Sequence, residues 1–598
     1  MKKPGEISRR TFLKGMAAGA IGTAVHGTFA AFADDTASST SAESSALPGS
    51  QSYDIINCDV LIIGSGNNAL FAADTAISEG RIVTFVDKGP YRQSGVTGMS
   101  WDYFLGQNHS VPIKALADTS VLENAEAYTR AWEFIDKKNK HNRFVYEVNH
   151  GQTLPDRDEN GHYIPFLTED RTQGQFLRRH KDFALVKSNV NVVDQTMITD
   201  ILINDGRCVG AMGLHLPTGD FKIFRANAVI MATGGCTNIY GWRGVSSVTN
   251  SVTDNTADLD MAAFRHGARI INSEFANYDV MSVYPEGLST AFGAAVCGDA
   301  QEPQCILDKD GELLFDLNDE RIWTDRSFFC RFMAEQIDVH GRGTENHTIY
   351  INLGNYEPRY GNARNIPLLA KFGVDVRSEM IEGEPEMFEH GGSPICDAKM
   401  MTDFPGLFCG RNYRSGSGIM NNYYTGTYAG HCAAEYAKNN PVSEIDFSPA
   451  LEEYKRLHEI RTRSCEDSVR PHEVRLAIQE AGYKALGPYR TTKSMEESLA
   501  QLEYVRQEMI PKMVPADTSQ VFNIEWKHAI ENYNLLDLAE MSVRASLMRE
   551  ETRDAYVRGE FPQIDDENWS CVIACSIDGD QMKLEKATYE DFNKMREG

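Results

Sequence analysis

The sequence predicts an α/β fold: a doubly wound, Rossmann-like nucleotide-binding domain with an inserted α+β lobe and a C-terminal helical domain. Three observations support this prediction. Asp59 to Asp87 shows the order strand, glycine turn, helix, strand, which is typical of such domains. A β-rich stretch over 191–233 ends in another buried strand and a glycine pair. After Pro441 the apolar residues recur with a helical period.

The first nucleotide-binding unit consists of two short apolar strands around one helix. Val60–Ile63 is a continuous apolar strand of the buried parallel type, and Val83–Val86 is the next strand, closed by Asp87. Between them, Ala69–Ser78 has helical spacing and ends near Gly80. This order places Asp87 at the tip of the second strand, where it can accept hydrogen bonds from ribose hydroxyls.

The turn before the helix has the pattern Gly64-x-Gly66-x-x-Ala69. The first glycine suits a tight turn, the second leaves room for a pyrophosphate, and the small third residue allows close helix packing. Free N–H groups and the dipole at the helix N-terminus favour the phosphates. The pattern alone is weak, but the flanking strands and the acidic residue predict a nucleotide site; the alternative is ordinary turn glycines.

The remaining chain divides by its pattern. Within the β-rich stretch, 204–207 and 217–220 have the composition of hairpin turns, and Ala228–Ala232 is a strand that runs into Thr233-Gly234-Gly235. The mixed segment 268–390 predicts a separate lobe, and 406–437 returns to a strand, a glycine-rich turn and a helix. Later helical periods cover 449–460, 473–485, 493–513 and 532–557.

The N-terminal segment has the features of an export signal. Ser8–Lys14 contains a twin-arginine pattern, an apolar run over 16–32 follows, and Ala31-Phe32-Ala33 is a small-x-small cleavage pattern. The run is too short for a membrane span, and no other run is long enough to cross a bilayer. We expect export by the twin-arginine route to the periplasm or the outer face of the cytoplasmic membrane, with no integral span in the mature chain.

Composition excludes several classes of function. A chain of 598 residues is too long for a single hydrophobic core. Its composition, with 42% hydrophobic and 24% charged residues, is typical of a soluble globular protein. A formal net charge of −26 argues against nucleic acid as a partner; it either aids solubility or marks a face for a basic electron carrier. The twelve cysteines include no C-x-x-C pair, so no metal site, clustered iron–sulfur ligation or c-type haem is predicted.

These patterns predict the domain boundaries. They are a signal peptide at 1–33, a flexible linker at 34–58, the nucleotide-binding domain at 59–267 and 393–440, the capping lobe at 268–392 and the helical domain at 441–598.

Further short sequence motifs occur along the chain after the glycine turn. They are Ser94-Gly95-Val96-Thr97-Gly98, Ala232–Gly235, Asp258–Ala262, His390–Pro394, Pro405–Gly410 and Arg414–Gly418. Near the end stand Gly487–Thr491, Arg549–Tyr556 and Phe561-Pro562 with Asp565–Trp569. Together with the front turn, these segments resemble the FAD-binding proteins of the fumarate reductase/succinate dehydrogenase flavoprotein family. The resemblance extends from Asp59 to the end of the chain.

The resemblance implies FAD as the cofactor, held without a covalent link. Family members with covalent FAD use a histidine at the position where this chain has Gly95. The residues implied to bind FAD are Gly64, Gly66, Asn68, Ala69, Asp87, Lys88, Ser94, Gly95, Thr233, Gly234, Asp258, Asn412, Ser417 and Ile419. In the tail, Arg549, Glu551 and Arg553 are expected to form a buried ion network rather than to take part in chemistry.

The chain departs from the family where the family binds dicarboxylates. Cys297 stands where the family has its proton-donating arginine, and either fills space or acts as a thiol. Tyr284 and Met387 replace two substrate-facing histidines. Arg414 is the one matched substrate residue. The flavin machinery therefore resembles the family more closely than the substrate site does.

Four residues are candidates for catalysis. The phenol of Tyr284 suits a proton donor, because its reference pKa lies near 10; the alternative is a packed aromatic. His390 is either a proton relay beside the flavin or a structural histidine. Arg414 and the unmatched Arg411 can hold an anionic group or stabilise charge at the flavin.

The resemblance implies an exported reductase of an activated C=C bond in a small organic substrate. Electrons would come from an external carrier such as a c-type cytochrome or an iron–sulfur subunit, because the chain has one nucleotide site and no ligands for clusters or haem. Two alternatives remain open: a dehydrogenase working in the oxidative direction, and a flavoprotein subunit like that of adenylylsulfate reductase with an iron–sulfur partner.

Overall fold

The computed structural model describes 14 segments of the chain. They are residues 43–46, 52–91, 95, 125–137, 190–241, 252, 254–284, 290–291, 303–324, 326–354, 369–410, 418–554, 556–579 and 581–588. All of them belong to one compact unit, Ser41–Gly598.

The secondary structure of these segments alternates strands and helices in the first half and is mainly helical later. The strands are β1 (Glu43–Ala46), β2 (Ser52–Ile63), β3 (Val83–Val86), β4 (Val190–Val193), β5 (Thr196–Asn204), β6 (Arg207–His215), β7 (Asp220–Met231), β8 (Ile270–Ile271), β9 (Ala276–Tyr284), β10 (Thr290–Ala291), β11 (Ile306–Leu307), β12 (Ile349–Ile351), β13 (Ile381–His390), β14 (Ser393–Pro394), β15 (Leu407–Cys409), β16 (Tyr489–Arg490), β17 (Val557–Arg558), β18 (Val572–Asp578) and β19 (Gln581–Ala587). The helices are α1 (Asn67–Ser78), α2 (Ala125–Lys137), α3 (Asp258–Arg265), α4 (Arg321–Thr324), α5 (Arg326–Asp338), α6 (Gly418–Asn439), α7 (Ser448–Thr462), α8 (Pro471–Leu486), α9 (Thr492–Tyr504), α10 (Ile524–Met548) and α11 (Asp566–Trp569).

The largest sheet has the order β4-β3-β2-β7-β6-β5, with β15 on β7 and β1 on β2. The pairs β4–β3, β3–β2, β2–β7 and β15–β7 are parallel, whereas β7, β6 and β5 form an antiparallel meander. Helices α1 and α6 cover one face of the parallel part, in an apolar cluster with Val60, Ile62 and Ala72. The predicted fold class, a doubly wound domain with further lobes, is confirmed.

The prediction of a flexible linker over 34–58 is wrong for both of its described segments, 43–46 and 52–58. Strand β2 begins at Ser52, and its residues 54–58 pair with 222–226 of β7. Glu43–Ala46 forms a further strand on the first half of β2. Composition favoured a flexible tether, but the first half of the long strand β7 offers backbone partners to residues 54–58.

Helices α1 and α6 pack with unusually close backbones. A Cβ at Gly426 would lie 2.4 Å from the carbonyl oxygen of Asn68, and one at Gly430 would lie 2.3 Å from that of Ala72. Only glycine permits this approach, which brings the middle of α6 against the first half of α1.

The capping lobe has its own sheet, with the order β10-β9-β13-β12-β11. Strands β9 and β13 form a long antiparallel ladder from the pair Ala276–His390 to the pair Tyr284–Glu382, with two register shifts. Helix α5 packs on this lobe through Phe329, Met333 and Ile337. The ladder continues directly into the rest of the molecule at its Ala276–His390 end.

The C-terminal domain packs α7–α10 into a helical layer around Trp526, Leu535 and Leu502. Helix α10 begins earlier and ends earlier than the predicted 532–557, because its N-terminus is capped by Asn523 and the chain turns at Arg549. After α10 the predicted helical domain also contains β18 and β19, which extend a sheet of order β14-β8-β18-β19. None of the described helices is long and apolar enough to span a bilayer.

Candidate cofactor and active site

Gly64 occupies a turn that tolerates no side chain. Its φ is +105°, and a Cβ there would lie 2.3 Å from the carbonyl oxygen of Ala232 and 2.8 Å from its carbonyl carbon. The end of β2 and the end of β7 therefore meet at van der Waals distance. The glycine is therefore required for the close packing of these two strand ends, at the edge of the sheet where the motif predicts the cofactor.

The N-terminus of α1 follows directly. Gly66 is the N-cap, with φ −73° and ψ −172°, and no side chain caps this end among the described residues. No acidic residue lies in the first turn. The first-turn amides and the positive end of the helix dipole therefore favour an anion here, as the sequence predicted for a pyrophosphate.

Asp87 is held at the tip of β3. Its Oδ2 accepts a hydrogen bond of 2.5 Å from the hydroxyl of Ser65, and its Oδ1 accepts one of 2.9 Å from the amide of Gly89. These contacts fix the orientation of the carboxylate at the tip of β3, where the sequence predicts a contact with a ribose. A turn without side chains, a positive helix end and an oriented carboxylate together fit FAD. Ser65 was missed by sequence reasoning, although its place between two glycines of the motif is a usable signal.

Lys88 and Asp258 have a different role from the one predicted. The ammonium of Lys88 lies 2.8 Å from Asp258 Oδ2 and 2.8 Å from the hydroxyl of Thr256, and 2.5 Å from Glu531 Oε1 on α10. The other oxygen of Asp258 accepts from Asn534 at 2.7 Å. Both charged groups are therefore saturated by protein partners, and we assign them to an ion cluster behind the cofactor turn rather than to FAD itself.

Glu531 is the centre of this ion cluster. It is fully buried and also lies 3.0 Å from Lys527 Nζ and 2.7 Å from the guanidinium of Arg475. Burial alone would raise the pKa of Glu531, but the three cations outweigh it and hold that pKa well below the usual range. Likewise, burial alone would lower the pKa of Lys88, and its two carboxylate partners raise it instead. The cluster ties the tip of β3 to the helical domain.

Asn68 and Ala69 contact the neighbouring strand and helix. The amide of Asn68 donates to the carbonyl of Gly410 and, over 2.9 Å, to the hydroxyl of Thr425 on α6. Ala69 is completely buried under the same helix. Ala69 thus has the packing role expected of the third position of the motif, and the predicted role of both residues in FAD binding stays a prediction.

The glycine pair after β7 and Gly95 adopt backbone conformations that favour glycine. Gly234 has φ +73°, and a Cβ would lie 3.1 Å from the amide nitrogen of Asn255. Gly95 has φ +74° with open space around it. Thr233 precedes Gly234 at the carboxyl end of β7, the edge at which ligands bind in parallel sheets. Their predicted role in FAD binding stays a prediction.

Several predicted site residues fall outside the described part of the chain. They are Ser94, Cys297, Arg411, Asn412, Arg414 and Ser417. The structure describes the backbone but not the side chain of Tyr284 in β9 and of Ile419 in α6. Their predicted roles are therefore retained as predictions.

The ladder of the capping lobe separates residues that the sequence analysis placed in one site. Met387 pairs with Tyr278, whereas Tyr284 pairs with Glu382. From 278 to 284 the strand rises by about 20 Å, at about 3.3 Å per residue. Tyr284 and Met387 therefore cannot both contact one small substrate, so at least one of the two positions matched to substrate histidines is wrong. A slip of the match along β9 explains the error, because the register was not known from the sequence.

His390 is held by two hydroxyl groups. It is buried, with Nδ1 2.8 Å from the hydroxyl of Tyr240 and Nε2 3.0 Å from that of Ser542. The hydroxyl of Ser542 donates to the carbonyl of Leu538, so it accepts from Nε2, and Nδ1 accepts from Tyr240. His390 lies about 26 Å along β9 from Tyr284 at about 3.3 Å per residue, so the two side chains do not act on the same atom. The role of His390 as a proton relay beside the flavin stays a prediction; neither Tyr240 nor Ser542 carried a signal in the sequence.

The predicted ion network of the tail is confirmed. Arg549 lies 2.9 Å from Glu551, and Arg553 lies 2.6 Å from the same carboxylate. Arg549 and Glu551 are fully buried. Arg549 also reaches Glu274, at 2.8 Å. This last contact leads from the tail to the foot of the capping lobe.

The described residues offer few groups for other chemistry. Each cysteine among them carries a free thiol, and only Cys465 is exposed. Within the described segments, no group of three or more His, Cys, Asp or Glu is arranged to hold a metal ion.

Two family models match the chain. A model described as FAD binding domain matches residues 172–349, and one described as fumarate reductase flavoprotein C-term matches residues 475–596. Among similar proteins is a fumarate reductase (CoM/CoB) of Methanothermobacter marburgensis, 27% identical over 85% of this chain and 95% of that protein. Another is a fumarate reductase flavoprotein of Mycobacterium tuberculosis, 26% identical over 68% and 73%.

Solved structures share the fold over most of the chain. Quinol fumarate reductase of E. coli superposes with a TM-score of 0.73 at 19% identity, covering 89% of this chain and 97% of that one. Mycobacterium smegmatis Sdh1 in complex with UQ1 gives 0.71 at 22%, covering 89% and 94%. Adenylylsulfate reductase from Archaeoglobus fulgidus gives 0.70 at 18%, covering 90% and 96%. At these identities the likeness concerns the fold.

Proposed function

Because this chain is an FAD-dependent oxidoreductase with the FAD-binding and C-terminal domains of fumarate reductase flavoproteins, we propose that it reduces an activated carbon–carbon double bond in a small organic substrate. The observation that carries the proposal is the combination in one compact unit of an FAD cradle, a capping lobe and the matched C-terminal domain. A relative that is named fumarate reductase and aligns over 95% of its own length supports it.

The described residues would bind and orient the cofactor. The turn at Gly64 would lie against it, the N-terminus of α1 would receive its phosphates, and Asp87 would accept from its ribose. When bound, FAD supplies the hydride of the reduction. The acceptor carbon beside it then needs a proton from the protein. Tyr284 is the candidate donor, since His390 is committed to Tyr240 and Ser542, and Arg414 is the candidate anchor for an anionic substrate group.

The substrate differs from fumarate in this proposal. Cys297 stands at the position matched to the proton-donating arginine of the family. A thiol lacks the positive charge with which a guanidinium binds a carboxylate. An acceptor with one anionic group, or with none at that end, suits this site better than a dicarboxylate.

We further propose that the chain works after twin-arginine export and receives electrons from a separate redox protein. The twin-arginine pattern at Arg9-Arg10 supports the first part. The single nucleotide site and the acidic net charge of −26 support the second, because a negative surface attracts a basic electron carrier. Rapid turnover of the isolated protein with NADH would contradict the need for a partner.

The test is a steady-state assay of the FAD-loaded protein with reduced viologen as the electron donor. A panel of unsaturated mono- and dicarboxylic acids should reveal at least one acceptor that is reduced faster than fumarate. Fumarate reduction at the rate of a dedicated fumarate reductase would contradict the substrate proposal. Oxidation of the saturated products with an artificial acceptor, at rates above those of the reduction, would favour the dehydrogenase instead.

Two variants test the assigned roles with the best acceptor. Tyr284→Phe should lower kcat by about 10²–10⁴-fold, the usual contribution of a positioned acid, and Tyr504→Phe is the matched control, since Tyr504 is 59% exposed on the helical domain. Arg414→Ala should abolish turnover with FAD content unchanged. A fully active Tyr284→Phe protein would show that the proton comes from another residue.

A further inference from the structure

The capping lobe has two roots. The chain enters the lobe through 272–275 before β9 and leaves it through Gly391 and Gly392 after β13. The pair Ala276–His390 is the first rung of the ladder and joins the two roots. Any rotation of the lobe as a body must therefore pass through these few residues.

The entering root is bound to the C-terminal domain by an ion pair. Glu274 is fully buried, and its Oε1 lies 2.9 Å from Nε of Arg549 and 2.8 Å from one terminal nitrogen of that guanidinium. Arg549 is itself fixed by Glu551 at 2.9 Å and by the carbonyl of Cys571 at 2.9 Å. The carboxylate of Glu274 is thus attached to a group that cannot move independently of the tail.

A second arginine holds the backbone of the same root. Arg490 is fully buried between α8 and α9, and it donates to the carbonyl of Glu274 at 2.7 Å. It also donates at 3.1 Å to the hydroxyl of Tyr278, which in turn donates to the carbonyl of Leu486 at 2.5 Å. The residues at the start of β9 are therefore hydrogen-bonded to the helical domain.

The leaving root is bound to the same domain by a neutral hydrogen bond. Nε2 of His390 donates to the hydroxyl of Ser542 over 3.0 Å, and Ser542 lies in the middle of α10. Tyr240, the other partner of His390, belongs to the segment after β7. His390 therefore ties the end of β13 to the helical domain on one side and to the FAD-binding domain on the other.

We propose that Glu274 and His390 are positioning residues that clamp the roots of the capping lobe to the C-terminal domain, so that this domain sets the orientation of the lobe over the flavin. The lobe carries Tyr284 and Met387, and misplacing a catalytic group by about 1 Å can cost about 10²-fold in rate. The activity part of the inference rests on the proposed function; the clamp itself does not.

The test compares two clamp variants with a matched control. Ser542→Ala removes the neutral bond at the leaving root, and Glu274→Gln removes the charge at the entering root. Glu453→Gln is the control, because Glu453 is a buried carboxylate of the same domain that pairs with Arg456 at 2.6 Å and touches neither root. Ser542→Thr keeps the hydroxyl and should restore the behaviour of the unaltered protein.

Two readouts separate a clamp from a general loss of stability. In the FAD-loaded protein, quenching of flavin fluorescence by iodide and the rate of proteolysis within the lobe should both rise in the clamp variants. With the best acceptor, kcat/KM should fall by about tenfold or more, while FAD content stays unchanged. Glu453→Gln should leave quenching and kcat/KM unaltered.

Each outcome bears on the inference. If Ser542→Ala shows the quenching and proteolysis of the unaltered protein, the clamp is overturned, and this holds even if Glu274→Gln fails to fold. If Ser542→Thr shows the same quenching and proteolysis as Ser542→Ala, the hydrogen bond from His390 to the hydroxyl does not hold the lobe. This result also overturns the clamp. If no acceptor is reduced but quenching rises only in the clamp variants, the proposed function fails and the clamp stands.

Discussion

Gly64→Ala should damage the cofactor turn much more than a glycine substitution elsewhere. Gly64 has φ +105°, and the added Cβ would lie 2.3 Å from the oxygen and 2.8 Å from the carbon of the Ala232 carbonyl. Both atoms belong to the backbone of β7 and cannot rotate away. Strand β2 or the segment after β7 must move by about 1 Å to restore ordinary contact distances near 3.4 Å.

The expected loss has two parts that a control can separate. An alanine forced to positive φ costs about 1–2 kcal/mol, and relieving an overpacked contact costs about 1–3 kcal/mol more. Gly80→Ala isolates the first part, because Gly80 has φ +79° and nothing lies within 4 Å of its added Cβ. Gly64→Ala should therefore lower the unfolding free energy by about 1–3 kcal/mol more than Gly80→Ala does.

Denaturant unfolding of both variants, with the flavin-to-protein ratio measured after gel filtration, gives the comparison. Because the displaced turn faces the phosphates, Gly64→Ala should also lose FAD, whereas Gly80→Ala should keep it. Equal stability and equal flavin content in the two variants would refute the close contact between β2 and β7 and the location of the cradle.

Three further outcomes are expected. Glu531→Gln should lower the unfolding free energy at neutral pH by about 3–5 kcal/mol, because three buried cations lose their carboxylate. Since the folded-state pKa of Glu531 is depressed, this difference should shrink as pH falls below about 4.3, the unfolded value; a pH-independent difference in urea titrations would contradict the assignment. Acid precipitation should release all FAD, because Gly95 offers no nucleophile, and flavin fluorescence on a denatured gel band would disprove this. Replacing Arg9 and Arg10 with lysine should retain the FAD-loaded protein in the cytoplasm, and unchanged export measured by fractionation would rule out the twin-arginine route.

Local patterns were sufficient for the nucleotide-binding unit. The predicted strand Val83–Val86 has the observed bounds, and the glycine at 64 and the acid at 87 have the predicted places. Each of these features depends on residues that are close in sequence: alternation of strand and helix, a turn that needs glycine, and an acid at a strand end. The tail network of Arg549 and Glu551 was predictable for the same reason.

Contacts between distant segments were not predictable. The family resemblance implied that Lys88 binds FAD. Its partner Glu531 lies on α10, and no pattern around either residue encodes that pairing. The separation of Tyr284 from His390 depends on the register of β9 against β13, which one sequence does not specify. Likewise, the start of β2 at Ser52 depends on the length of β7 rather than on its own composition.

The short strand β8 has a consequence for how the chain is made. Its two residues pair on one side with β14 and on the other with Cys575 and Ala574 of β18, close to the end of the chain. During translation this sheet therefore stays open until the last strands have left the ribosome. A truncated product leaves β8 with an unpaired edge next to the foot of the lobe. This part of the fold therefore forms only after β18 has been synthesised.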